Sequence, residues 1–130
     1  MPGQVDFSEH FIQLYTALPE DEQDLIADFI DHFKIHGLLK FKGKIGPTDA
    51  VPQNDPDRVR KIRFAQINKL WHVHIGHPGW NPCRNPLASY LTSDFVVHFQ
   101  KLSNSHIALV DYSSHNPMRQ PEGKWLFRQR

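Results

Sequence analysis

Histidine is concentrated in one part of this chain. Six of the nine histidines lie between His72 and His115, and His72, His74 and His98 fall in stretches whose alternating pattern is typical of strands. The imidazole changes charge near neutral pH, can take or give a proton, and binds transition metals when it is neutral. This density therefore indicates where the chemistry of the protein is concentrated.

Metal-independent RNA cleavage is one reaction that such residues can support. The ribose 2′-OH attacks the adjacent phosphate, so a base must take its proton, an acid must protonate the leaving oxygen, and cations must stabilise the negative phosphorane. His115, just past a strand-like run, is the first catalytic candidate, with Arg119 as phosphate clamp. Tyr112 is a candidate base-stacking platform or proton carrier. A surface-loop histidine is the plain alternative for His115.

A second constellation consists of His72, His74 and His98. If their two strands pair in register, the imidazoles meet on one face of the sheet. We assign His74 and His98 to catalysis and His72 to RNA contact, with no metal and no cofactor. Structural histidines within the sheet are one alternative. The other is a metal site of cupin type, in which an H-x-H pair and a remote histidine bind zinc, iron or nickel.

Charge is unevenly distributed along the chain, although the net charge is only +1. Residues 1–37 carry eight acids and one base, whereas residues 38–69 carry eight bases and three acids. The basic segment predicts a face that binds polyanions. Lys40, Lys42 and Lys44 alternate in sequence, so on an extended segment all three would contact phosphates from one edge. A solvated basic face is the alternative. The residues assigned to RNA binding here are Lys40, Lys42, Lys44, Arg58 and Arg63.

The first half of the chain predicts helices. Apolar residues at helical spacing predict a first helix, capped by Asp6 and Glu9, although a short strand over Gln4 to Phe7 competes with it. A second helix begins at Pro19 and ends at Gly37. After a basic loop, residues 56–67 predict a third short helix with Val59 and Ile62 turned inward. The apolar stripe of the first helix comprises Phe7, Phe11, Leu14 and Leu18.

The second half predicts strands. A half-buried strand runs from Leu70 to Gly76, and residues 77–86 form a proline-rich loop. Residues 95–100 and 106–112 then pair as a hairpin. The last strand is apolar without interruption over residues 107–110, so we expect it to be central and covered on both faces. Helices first and strands later indicate an α+β fold, as one domain over residues 1–130.

Composition indicates a globular protein outside the membrane. The chain is 39% hydrophobic and 22% charged, and no apolar run approaches the roughly 20 residues that a membrane-spanning helix needs. The first residues lack the features of an export signal, and Cys83 is the single cysteine. We therefore expect a cytoplasmic protein with no membrane partner.

The ordered set of features resembles a known family. An acidic helical hairpin, a Lys/Gly loop and then strands, with the strings LWHVHIGHPGW, YLTSDFVVHFQK and IALVDYSSHNPM, are similar to ParE-like and YafO-like members of the RelE/ParE toxin superfamily of bacterial type II toxin–antitoxin systems. The resemblance runs from about Phe7 to Pro121. It implies a helical hairpin packed on one face of a curved antiparallel sheet, and a cognate antitoxin as partner.

The resemblance also implies a function. Many relatives cut mRNA in the ribosomal A site, which implies an mRNA interferase, an endoribonuclease that binds mRNA on the ribosome and inhibits translation. YafO-like relatives carry a histidine at the position of His115. ParE proper instead poisons DNA gyrase, so a gyrase poison without catalysis is one alternative. A His-ligated metal-dependent enzyme is the other.

Overall fold

The computed structural model describes residues 3–82, 90–115 and 119–128. Cys83 and residues 83–86 of the proline-rich loop lie outside these ranges. The helices are α1 (Glu9–Thr16), α2 (Glu20–His36) and α3 (Arg58–Ile67), with a short 3-10 turn at Gly123–Trp125. The strands are β1 (Gln4–Phe7), β2 (Ile45–Pro47), β3 (Leu70–His74), β4 (Asn81–Pro82), β5 (Leu91–Thr92), β6 (Phe95–Ser103) and β7 (His106–Ser114).

Five of these strands form one sheet in the order β1-β7-β6-β3-β2, and β4 pairs with β5 as a separate small ribbon. The fold class is α+β, as expected from the sequence. The sheet is mixed rather than wholly antiparallel, because β1 runs parallel to β7 while the other pairs are antiparallel. β7 lies inside the sheet and is buried from Ile107 to Tyr112, but the middle position belongs to β6.

The helices cover one face of the sheet. Side chains that alternate along the strands point to this face, and Phe29 and Phe33 of α2 pack on them together with Phe11 of α1. Burial of each such phenylalanine stabilises the fold by roughly 2–3 kcal/mol relative to an exposed ring. The strand residues in this core include Val73, Ile75, Val97, Phe99, Ile107 and Leu109.

The alternative strand over Gln4 to Phe7 is confirmed as β1, so the helix start predicted at Asp6 is wrong. Phe7 belongs to β1, where pairing with β7 satisfies its backbone. Ser8, rather than Asp6, caps α1, and its Oγ accepts a hydrogen bond from the Phe11 N–H at 3.2 Å. The end of α2 is as predicted: Gly37 has φ +67°, a conformation that glycine adopts without strain.

The third helix is present, but its predicted orientation is partly wrong. Val59 is exposed, Ile62 is half-buried, and Ala65 is the residue of α3 that is buried. The strand at Leu70–His74 also differs from the expectation of a half-buried strand, because all of its residues except the half-buried Trp71 are buried. No helix in the described part of the chain is long and apolar enough to cross a bilayer.

The second sheet face carries the polar residues of β3, β6 and β7 and is only partly covered. The C-terminal segment crosses it, anchored by Gln100, whose Oε1 accepts hydrogen bonds from the backbone N–H groups of Phe127 and Arg128. Between this segment, α3 and the loop after β2, the face opens into a cleft. The residues facing this side include His72, His74, His98, Asp111 and Ser113.

Candidate functional site

Strand pairing brings the sheet histidines together. In the antiparallel β3–β6 pair His72 lies directly opposite His98, and their ring centroids are 6.3 Å apart. His74, two residues along β3, lies on the same face, with its ring centroid 5.9 Å from that of His72. The sequence-based expectation that these three imidazoles meet on one face is therefore confirmed.

His115 joins the same cluster from β7. It follows the last residue of that strand, and its backbone N–H donates to the Asp94 carbonyl oxygen at 2.5 Å, which fixes the turn. The ring centroid of His115 lies 4.9 Å from that of His74 and 5.5 Å from that of His72. One potential ligand nitrogen from each of His72, His74 and His115 lies within 4.8 Å of the other two. We call these three residues the histidine triplet.

Hydrogen bonds orient two imidazoles of the triplet. Nδ1 of His72 lies 3.0 Å from Thr48 Oγ1, and Nδ1 of His74 lies 2.7 Å from the Ser93 carbonyl oxygen. The Ser93 N–H also points at Nδ1 of His74, from 3.0 Å. Both backbone groups of Ser93 therefore engage Nδ1 of His74. These contacts leave Nε2 outside the hydrogen bonds among the described residues.

His98 lies behind the triplet and is fully buried. Its Nε2 lies 3.0 Å from Ser113 Oγ, while Nδ1 has no hydrogen-bond partner among the described residues. A substrate in the cleft cannot reach this ring directly. This position indicates that His98 stabilises this face of the sheet. The prediction that His98 is catalytic requires direct contact with substrate, which the buried ring does not make from the cleft.

The cluster keeps its imidazoles neutral. Burial, reinforced by neighbouring imidazoles, lowers the pKa of His72 and of His98 to about 3. Burial also lowers the pKa of His74 and His115, and the nearby positive charge of Lys44 lowers both further. Asp94 opposes the shift at His115, and the Ser93 hydrogen bond opposes it at His74. Neutral imidazoles can accept a proton or bind a metal ion, but they cannot act as general acids.

A cleft of about 930 Å³ opens beside the triplet. His72 and His115 line its wall, together with Lys44 and Arg119. Arg60 and Lys61 also line it, but they pair with Asp57 and Asp55 respectively. Lys44 is the lining cation for which the described residues provide no carboxylate partner; its Nζ lies 5.7 Å from the centroid of the Tyr90 ring. It is therefore available to an anionic ligand.

Arg119 lies at the cleft but is held by the protein. Its Nε and Nη2 donate hydrogen bonds to the two carboxylate oxygens of Asp111, at 3.3 and 3.0 Å, and its guanidinium lies 5.1 Å from the Trp125 ring centroid. Asp111 is fully buried. The structure therefore places Arg119 with the triplet, and in a fixed orientation.

Tyr112 does not belong to this site. It lies on the opposite, helix-covered face of the sheet, within the hydrophobic core. Its hydroxyl donates to Glu22 Oε1 at 2.8 Å, and burial together with that carboxylate raises its pKa. The structure therefore separates Tyr112 from His115, and the expected stacking or proton transfer at the same site is wrong.

The predicted RNA-binding residues divide among three places. Lys44 and His72 line the cleft, whereas Lys40 and Lys42 line a different depression beside α2. The prediction that these lysines contact phosphates from one extended edge is therefore wrong. Lys40 adopts a turn conformation with φ +64°, which breaks the extended segment. Lys42 lies over the Trp80 ring instead. Arg58 and Arg63 line a third depression on α3, outside the cleft.

Sequence reasoning missed the residues that support the site. Thr48 and Ser93 orient the imidazoles from loops, and no local pattern marks a residue that acts through a long-range hydrogen bond. Asp111 did leave a signal, because it is a charged residue directly after the apolar run of β7. A buried carboxylate there needs a cationic partner, which is Arg119.

The chain matches no protein-family model, no curated protein and no solved structure.

Proposed function

We propose that this chain is the toxin of a type II toxin–antitoxin system and cuts ribosome-bound mRNA by metal-independent attack of the ribose 2′-OH. The proposal combines the resemblance of its three sequence strings to the ParE-like and YafO-like toxins with the site on the partly covered sheet face. An α+β domain with helices on one face of the sheet is compatible with the arrangement that this family implies. The mixed sheet differs from it in the parallel β1–β7 pair.

The observation that carries the proposal is the position of His115. This imidazole stands at the wall of the cleft, and none of the hydrogen bonds among the described residues engages its ring nitrogens. Because its pKa is lowered, the ring is neutral at physiological pH. A neutral, accessible imidazole beside Lys44 is suited to take a proton from a ribose hydroxyl next to a phosphate.

The cleavage step then follows from the groups at the cleft. His115 takes the 2′-OH proton, the 2′-oxygen attacks phosphorus, and the bond from phosphorus to the 5′-oxygen breaks. The imidazolium formed on His115 returns the proton to the leaving 5′-oxygen, so the products are a 2′,3′-cyclic phosphate and a 5′-hydroxyl. Lys44 supplies positive charge to the phosphorane.

Arg119 fits the role of a second phosphate contact. Asp111 engages Nε and Nη2, which leaves Nη1 outside these hydrogen bonds. A guanidinium fixed in this way needs little reorganisation to meet a phosphate, and preorganised donors are the ones that stabilise a transition state well. The buried carboxylate therefore acts as the positioning group for Arg119.

The remaining features concern partners. Residues 1–37 are strongly acidic, so the helical hairpin would repel RNA and the ribosome must be approached by the cleft side. The cognate antitoxin, in this proposal, neutralises the toxin by protein contact in the cytoplasm. Inhibition of translation follows from cleavage of the message.

Induced expression in a bacterial host tests the function. We expect growth arrest, a stop in translation and codon-phased cuts in ribosome-bound messages. His115→Ala should abolish all three, whereas His36→Ala, an exposed histidine at the end of α2, should leave them intact. A gyrase poison needs no acid–base group, so toxicity that survives His115→Ala without mRNA cuts would contradict the proposal.

A further inference from the structure

We infer that His72, His74 and His115 form a binding site for one divalent transition-metal ion, for which Zn²⁺ is the probe. This inference goes beyond the proposed function and does not depend on it. It rests on the convergence of two imidazoles from β3 with the one that directly follows β7, and on the hydrogen bonds that orient the first two.

The spacing of the triplet is close to that of a zinc centre. The three nitrogens lie within 4.8 Å of one another. In a tetrahedral centre with zinc–nitrogen bonds of about 2.0–2.1 Å, ligand nitrogens lie roughly 3.4 Å apart. The closure needed is therefore about 1 Å or less for each ring toward a common centre. His115 can make most of this movement, because its ring is the most exposed of the three and β7 ends just before it.

The hydrogen bonds at Nδ1 of His72 and His74 are of the kind that metal-binding histidines make. Such a histidine typically engages its other ring nitrogen with a backbone carbonyl, a carboxylate or another oxygen, which fixes the tautomer and the direction of the lone pair. Ser93 O does this for His74 and Thr48 Oγ1 for His72, in both cases at Nδ1. Nε2 is therefore the nitrogen that each residue offers to a metal.

The donor set decides which metal fits. Three neutral imidazoles are ligands for zinc, copper or nickel, while magnesium and calcium require oxygen ligands. Three protein ligands leave one tetrahedral position open, and here it faces the cleft that His72 and His115 line. Lys44 disfavours a bare cation at this place but would attract an anionic fourth ligand.

Gly43 shows that the chain is built closely around His74. A Cβ atom at this position would overlap the carbonyl oxygen of His74, and it would also contact the rings of Phe41 and Trp80. The basic loop can therefore approach β3 at this point only through glycine. The position of His74 within the triplet is fixed from both sides, by Gly43 and by Ser93.

Titration of the chelator-treated, untagged full-length protein, made by cell-free synthesis, with Zn²⁺ in a calorimeter tests the site. We expect one ion per chain. His115→Ala, at the exposed end of the triplet, should weaken binding by about tenfold or more, since even the loss of an outer-shell partner costs about 10–100-fold. Co²⁺ should bind with the visible absorption of a tetrahedral centre, and this spectrum should disappear in His74→Ala.

The control removes the other close pair of histidines. His32 and His36 lie one turn apart on α2, with ring centroids 5.0 Å apart. His36→Ala should leave zinc affinity unchanged. The inference is overturned if the wild-type protein binds no zinc, if His115→Ala binds as tightly as the wild type, or if His36→Ala removes the binding.

The two proposals fail separately. Zinc binding is measured on the protein alone, so absence of RNA cleavage leaves the metal site standing. Conversely, a protein that cuts mRNA but fails to bind zinc loses only this inference. If both hold, the metal-bound and RNA-cleaving forms are alternative states, because zinc takes the lone pair of His115 that the base needs.

Discussion

Arg119 donates two hydrogen bonds to the fully buried carboxylate of Asp111. The cation that the C-terminal segment places at the cleft is therefore fixed by β7, the strand that ends just before His115. His10 reaches the same carboxylate with Nε2 at 3.3 Å and stacks on Trp125. This arrangement ties α1, β7 and the C-terminal segment together. Its disruption should therefore affect both stability and the shape of the cleft.

Arg119→Ala should lower the free energy of unfolding by about 2–3 kcal/mol, because it leaves the buried charge of Asp111 with His10 as its remaining partner among the described residues. Adding Asp111→Asn to this variant should restore part of the loss, because the uncompensated charge disappears. Urea unfolding of the wild type, both single variants and the double variant measures the effect. Equal losses in the Arg119 variant and the double variant would show that the charge is not the cause.

Lys44→Ala should reduce kcat/KM for RNA cleavage by about tenfold or more, since a charge-assisted contact to phosphate contributes about 1.5–3 kcal/mol. Lys42→Ala is the matched control, because this lysine is two residues away, lies over Trp80 and lines a different depression. It should leave the rate unchanged. Similar losses from both substitutions would instead indicate a general effect of positive charge.

Tyr112→Phe should leave RNA cleavage unchanged. The substitution removes the hydrogen bond from the hydroxyl to Glu22, which costs about 1 kcal/mol of stability, but this bond lies on the helix-covered face. Thermal unfolding and a cleavage assay on the same preparation separate the two effects. A loss of activity beyond the loss of folded protein would place Tyr112 in the site after all.

Stability should fall as the pH drops from about 6.5 to 5. The pKa of His98 and of His72 is about 3 in the folded chain but near 6.5 when unfolded, so in this range the unfolded state binds more protons. Each residue then lowers the free energy of unfolding by on the order of 1 kcal/mol per pH unit, while these two residues contribute no change above pH 7. Denaturant unfolding with a chelator present measures this slope, and His98→Gln should flatten it. A slope that His98→Gln leaves unaltered would contradict the assignment.

The sequence predicted the parts of this fold that depend on local pattern. The α2 helix, its end at Gly37, the β6–β7 hairpin and the meeting of His72 with His98 all follow from periodicity and strand register. The errors have non-local causes. Phe7 belongs to β1 because its backbone pairs with β7. Tyr112 faces the helices because the β6–β7 pairing is irregular between His98 and Phe99, which shifts the alternation of side chains along β7.

The sequence also predicted only some of the residues of the candidate site. His115 and Arg119 were selected from the sequence, and the structure places both at the cleft. The supporting contacts from Thr48 and Ser93 join loops that are distant in sequence, so no spacing rule could reveal them. Lys40 and Lys42 were misplaced because a left-handed residue in the basic loop cannot be read from alternation alone.

The chemistry of the cut ends tests the central claim most directly. Purified protein is added to ribosomes programmed with an end-labelled message, and the message is prepared both unmodified and with a 2′-deoxy nucleotide at the scissile position. We expect the unmodified message to be cut with a 2′,3′-cyclic phosphate and a 5′-hydroxyl, the deoxy message to stay intact, and His115→Ala to cut neither. Cutting of the deoxy message, or ends with a 5′-phosphate and a 3′-hydroxyl, would contradict attack by the 2′-OH.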